Sequence, residues 1–157
     1  MTNARALVMQ FPRREPATAA PSGRASCVWE ALAAAAATRH AYRQLRRSLR
    51  ILAATEHTPF RELQPYLDWA FFRPQLLAFY LVPYAETHGW PILAAGLGCS
   101  ATAAARLALC HCPPRPQRAY YLGQIARTLG IPRVHLVRTL TRAELEHAQA
   151  KRSLGLQ

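Results

Sequence analysis

Residues 75–82 read Gln-Leu-Leu-Ala-Phe-Tyr-Leu-Val, and residues 91–97 read Pro-Ile-Leu-Ala-Ala-Gly-Leu. How these two apolar stretches are read decides the fold class. Each is short, rich in aliphatic and aromatic side chains, and bounded by Pro, Gly or polar residues, which is the pattern of a buried strand. With Tyr84–Trp90 as the turn between them, they predict a β-hairpin. A further run, Ala119–Ala126, predicts a third strand.

Outward from the hairpin the sequence predicts helices. Ser26 stands where it can cap a long helix from Cys27 to about Thr55. Within it Val28, Ala35, Tyr42 and Leu49 recur every seven residues, and Leu45 and Leu52 fill the adjoining stripe. Thr58-Pro59 is a helix-start signal, a threonine in capping position with proline at the first helical position. The helix it opens is expected to reach Phe72 and to bend near Pro65. Ser100 is expected to cap a short helix over 101–109, Pro113, Pro114 and Pro116 force a loop, and 134–150 supplies one or two closing helices. Helices and strands in this order give an α+β class, with a long N-terminal helix and a small sheet flanked by helices. Two segments are expected: a basic leader over 1–25, broken by Pro12, Pro16, Pro21 and Gly23, and a single domain over 26–157.

Charge narrows the partner. Twenty Lys and Arg face eight Asp and Glu, a formal net charge of +12, and Lys151 is the single lysine. Guanidinium groups stay ionised and fork onto carboxylates and phosphates, so the surface suits an acidic partner: nucleic acid, an anionic membrane or an acidic protein. Arg39, Arg43, Arg46, Arg47 and Arg50 crowd the long helix, with no acidic residue between Ala31 and Thr55. They form either a solvated face or a docking ridge. The most apolar window, 92–109, carries Gly96, Gly98, Ser100, Thr102 and Arg106, too polar for a membrane span. No run resembles a signal peptide, so a cytoplasmic address with four reduced cysteines is expected.

Motifs that carry chemistry are few. Cys110-His111-Cys112 has no second Cys or His pair at zinc-site spacing, so no metal is expected. Gly96-Leu97-Gly98 lacks the last glycine of a dinucleotide fingerprint and reads as a close-packing feature. Among the six histidines, His57 precedes a helix start whose positive end favours a neutral imidazole, the form that acts as general base. Ile125-Ala126, Leu129-Gly130-Ile131, Leu136 and Leu140 have the spacing of a helix-turn-helix, with alanine packed between the helices and glycine in the turn. In that reading Arg133, His135 and Arg138 face the major groove.

In order and spacing, residues 48–150 resemble the lysine acyltransferases that activate RTX toxins. Thr58-Pro59-Phe60-Arg61 resembles the family's Ser-Pro-Leu-His. Leu67-Asp68-Trp69, Arg73-Pro74, Gly89-Trp90-Pro91-Ile92, Ser100 to Arg106-Leu107 and Arg118 to Ala126 follow in the family's order. The resemblance implies a fold similar to the GNAT acetyltransferases. It also implies transfer of a fatty acyl group from acyl carrier protein, the co-substrate, to a lysine of an acceptor protein. No bound cofactor is implied. The family's catalytic histidine falls on Arg61 and its aspartate on Gly123, which leaves His57 as the expected base. Arg39, Arg43, Arg46, Arg50 and Arg61 are then the expected carrier-docking residues. The alternatives are a DNA-binding regulator using residues 124–141, and a non-catalytic adaptor with the acyltransferase fold.

Overall fold

The computed structural model describes residues 23–155, and within them every regular element is a helix. In chain order these are α1 (Gly23–Ala54), α2 (Phe60–Ala70), α3 (Ala78–His88), α4 (Trp90–Leu97), α5 (Ala101–Ala108), α6 (Arg118–Leu129) and α7 (Arg133–Ser153). A single 3-10 turn, Arg115–Gln117, precedes α6. The expected α+β class, with its GNAT-like sheet, is therefore wrong. The only extended pairing among the described residues is an isolated antiparallel bridge between Leu76 and His111.

The three expected strands are all helices, and burial on most sides explains the first of them. A helix buried on most sides shows no clean 3.6-residue period, so a short apolar run does not distinguish it from a buried strand. α3 buries Ala78, Leu81, Val82, Tyr84 and Ala85, and Phe79, Tyr80 and Pro83 between them are half-buried, so no residue from 78 to 85 is exposed. α4 starts with Pro91 in its first turn, where the missing N–H costs nothing. In α6 the buried residues are Tyr121, Leu122, Ile125 and Ala126, two adjacent pairs one turn apart, a helical rather than an alternating pattern. The expected turn over 84–90 shrinks to Gly89 (φ +95), which separates α3 from α4.

The chain divides into two units, Met1–Ala34 and Ala35–Gln157. Of the first, the described part is the opening of α1, where Cys27 to Ala34 are all exposed, Val28 and Trp29 among them. Most of the expected leader over 1–25 lies outside the described residues. In the second unit α1 buries Ala41, Leu45, Ser48 and Leu52, whereas Tyr42 of the expected seven-residue stripe is exposed. α2 begins at Phe60 with Pro59 as the residue before it, and Thr58 forms no side-chain cap.

The core gathers around α5. Ala104, Ala105, Leu107 and Ala108 are fully buried, and α2, α3, α4 and α6 all pack against this helix. Its small side chains let four neighbours approach closely. Ser100 caps it as expected, its hydroxyl accepting from the Ala103 amide at 3.1 Å. α7 covers α3, α4 and α6. A buried polar knot fastens α1 to this core. The Ser48 hydroxyl bonds the Tyr121 hydroxyl and accepts from the His111 amide at 2.9 Å, and the Tyr121 hydroxyl also donates to the Gln44 carbonyl at 3.3 Å.

The structure contains the same local design twice. α4 and α6 each end on a left-handed glycine, Gly98 (φ 73, ψ 35) and Gly130 (φ 68, ψ 27). In each the following amide, Cys99 or Ile131, reaches back to the carbonyl of Ala94 or Ala126, at 3.0 and 2.9 Å. This is the bond that closes a Schellman motif. Two residues later a second helix begins, α5 or α7. The pair α4–α5 is bent by 87° at the turn. Buried residues also coincide: Leu93 with Ile125, Ala94 with Ala126, Ala104 with Leu136, Ala108 with Leu140.

Candidate nucleic-acid interface

The segment 118–153 is a helix, a three-residue turn and a helix. α6 buries Ile125 and Ala126, α7 buries Leu136, Thr139, Leu140 and Ala143, and the two helices pack together. Gly130 makes the turn in the left-handed region, and Pro132 presets the entry to α7. The expected helix-turn-helix spacing thus describes the local structure, including the alanine at the crossing and the glycine four residues on.

What α7 leaves outside is one continuous face. Arg133, Val134, Val137, Arg138, Thr141, Arg142 and Leu145 are exposed, and they fall within half of the helical circumference. From residue 118 to 142 the chain has five arginines, at 118, 127, 133, 138 and 142, and no Asp or Glu. The acids further along α7 are engaged sideways. Glu144 pairs with Arg118 of α6 at 2.8 Å, and Glu146 pairs with His88 of α3 at 2.8 Å. The first half of α7 therefore offers cations and small apolar side chains with no carboxylate among them.

His135 does not join that face. It is half-buried, and a side chain on Gly98 would meet its Nδ1 at 3.1 Å. The ring lies against the turn of the first helix pair, because position 135 sits two helical steps (about 200°) round from Arg133. Arg133 itself extends past Gly123, where an added Cβ would lie 3.9 Å from its Cδ, an ordinary contact. Beside it is a concavity of about 470 Å³ lined by Tyr120, Gly123, Gln124, Arg127 and Arg133.

The residues expected to carry acyl transfer are not brought together. His57 is exposed in the turn after α1, with no hydrogen bond or ion pair among the described residues. Arg61 is exposed in the first turn of α2, while Gly123 lies under Arg133 on α6. Arg39, Arg43, Arg46 and Arg50 are exposed on α1, and Arg46 rests over the Tyr42 ring at 6.0 Å. The two stretches expected to pair as a hairpin are α3 and α4, so no hairpin lies beside His57.

Among the described residues no group of three His, Cys, Asp or Glu is placed to hold a metal ion. Cys110 is buried, and desolvation pushes its thiol up to about 12, which removes it from thiolate chemistry at neutral pH. No single helix among the described residues is long and apolar enough to cross a membrane.

Sequence reasoning missed the first helix pair and the orientation of His135. The first had a signal: Leu93-Ala94, Leu97-Gly98 and Ala104 repeat the spacing of Ile125-Ala126, Leu129-Gly130 and Leu136, displaced by 32 residues. No family model, curated protein or solved structure matches this chain.

Proposed function

We propose that the protein binds duplex DNA through the second helix pair, with the start of α7 entering the major groove. The observation that carries this reading is the exposed Arg133–Val134–Val137–Arg138–Thr141 face, free of carboxylates and set on a glycine-turned helix pair. In helix-turn-helix proteins the first residues of the second helix reach base edges, while the first helix runs across the sugar–phosphate backbone. Arg133 and Arg138 carry planar forks suited to guanine or phosphate, and Val134 and Thr141 offer apolar contact to thymine methyls. Arg127 and the concavity beside it lie where α6 would meet phosphates. The overall charge of +12 adds long-range attraction to the same polyanion.

Acyl transfer has lost the sheet on which it was founded, and an acidic carrier protein enters the test as a competitor. Fluorescence anisotropy on a labelled random duplex should give saturable binding that weakens steeply with salt. Arg133→Ala should lower the slope of log K against log salt by about one if it contacts a phosphate. Arg138→Ala should weaken binding as strongly. Binding unchanged in the double variant, or duplex readily displaced by acyl carrier protein, would contradict the reading.

A further inference from the structure

A second concavity in the Ala35–Gln157 unit lies away from α7. It is a half-open cleft of about 580 Å³ between the end of α1, the side of α2 and the end of α5. That volume is within the range of small-molecule sites, roughly 300–1,000 Å³. Ile51, Ala54, Leu76 and Leu109 give it apolar walls, and Tyr66 and Trp69 stand at its rim. Burial, reinforced by Arg47 and His40, lowers the pKa of His111 in the far wall. At neutral pH Glu62 and Arg73 are then the formal charges lining the cleft.

Those two do not neutralise each other. Glu62 belongs to the first turn of α2, where helix amide dipoles favour its charge. Arg73 follows the end of α2, eleven residues on, and forms no ion pair among the described residues. The Arg73 guanidinium is stacked on the Trp69 ring, its centre 3.8 Å from the ring centroid. Stacking fixes the plane of the group but uses none of its N–H donors. A half-buried, oriented and unpaired fork at the edge of an apolar cleft is complementary to a carboxylate joined to an apolar body.

We infer that this cleft binds a small amphipathic monocarboxylate, its acid group on Arg73 and its ring or chain against Ile51, Ala54, Leu76 and Leu109. The inference does not rest on DNA binding. It is tested on the full chain by ligand-observed fluorine NMR with 4-(trifluoromethyl)benzoate and the neutral 4-(trifluoromethyl)benzyl alcohol. The benzoate should bind saturably and about tenfold more tightly than the alcohol, the margin of one charge-assisted hydrogen bond. Arg73→Gln should erase the margin and leave alcohol binding unchanged. Ala54→Trp, at an exposed position, should fill the mouth and weaken both probes, with circular dichroism reporting that the variant is folded. No saturable benzoate binding, equal binding of acid and alcohol, or a margin that survives Arg73→Gln would each overturn the inference. Benzoate binding that persists in Ala54→Trp would place the site elsewhere on the basic surface and overturn it as well.

Discussion

The two helix pairs, α4–α5 and α6–α7, share a turn and differ in what they do with their second helix. In the first, Gly98 and Ser100 deliver α5 into the centre of the core, its surface made of alanines that four other helices cover. In the second, Gly130 and Pro132 deliver α7 to the outside, and its exposed half is lined with arginine. Position by position Ala101 corresponds to Arg133, Thr102 to Val134 and Ala105 to Val137, whereas Arg106 and Arg138 are both arginine. Even that shared arginine is spent differently. Arg106 donates to the Leu52 carbonyl of α1 and, at 3.3 Å, to the hydroxyl of Thr55 just beyond that helix, while Arg138 faces solvent. One backbone device thus serves packing in one place and display in the other, and the side chains of the second helix determine which.

The comparison is broken most forcefully in the core. Leu93 and Ile125 occupy equivalent, fully buried positions. Leu93→Ala and Ile125→Ala should each cost about 2–5 kcal/mol, as truncations in close-packed cores do. Urea denaturation gives the values. A near-silent Ile125→Ala would mean that the second pair is not packed as the first is.

The turn glycines should separate the pairs more finely. An alanine at either position is forced into the left-handed region at about 1–2 kcal/mol. At Gly130 nothing lies within 4 Å of the new carbon, so that strain is the whole cost. At Gly98 the new carbon meets His135 Nδ1 at 3.1 Å, so the turn must also shift against α7. Gly98→Ala should therefore lower the thermal midpoint more than Gly130→Ala. The reverse order would contradict the docking of the first turn on His135.

The smallest effect is a titration. Burial lowers the pKa of His111, after α5, with Arg47 and His40 adding to it. Burial and then Lys151 lower that of His147 on α7. The folded protein binds fewer protons than the unfolded chain just below the unfolded imidazole value of about 6.5. Stability therefore rises with pH through that window and is lost as pH falls from about 6.5 toward the lower folded values. His111→Gln and His147→Gln should each flatten the change in thermal midpoint between pH 7.5 and 5.5. A slope unchanged in the double variant would remove both groups from the account.

The part of the fold legible in the sequence is the part with turn chemistry. Ser100 before an alanine run, and Ala126 with Gly130 and flanking aliphatics, marked a cap and a helix turn because those residue types satisfy local backbone demands. Residues 75–82 hide their helix because distant neighbours cover it on nearly every side, and periodicity then vanishes. Residues 91–97 bury only Leu93, Ala94 and Leu97, and a run that short is too brief to display the helical period. The expected strand at Ala119–Ala126 hid half of the helix pair, although the spacing of Ile125, Ala126 and Gly130 lay in plain sight. Arg133 and Arg138 were legible as an exposed basic pair. His135 was not, since its inward orientation depends on the Gly98 turn, which is distant in sequence.

The central claim is that the outer face of α7, and not the first helix pair, meets DNA. A benzophenone photo-crosslinking amino acid in place of Val134, compared with one in place of Ile92, tests it directly. Both positions are more than half exposed, at 64% and 56%, one on each pair. The account predicts a protein–DNA adduct from position 134 on irradiation with duplex, suppressed by unlabelled duplex, and none from position 92. Adducts from position 92 alone, or from neither position while the duplex remains bound, would contradict it.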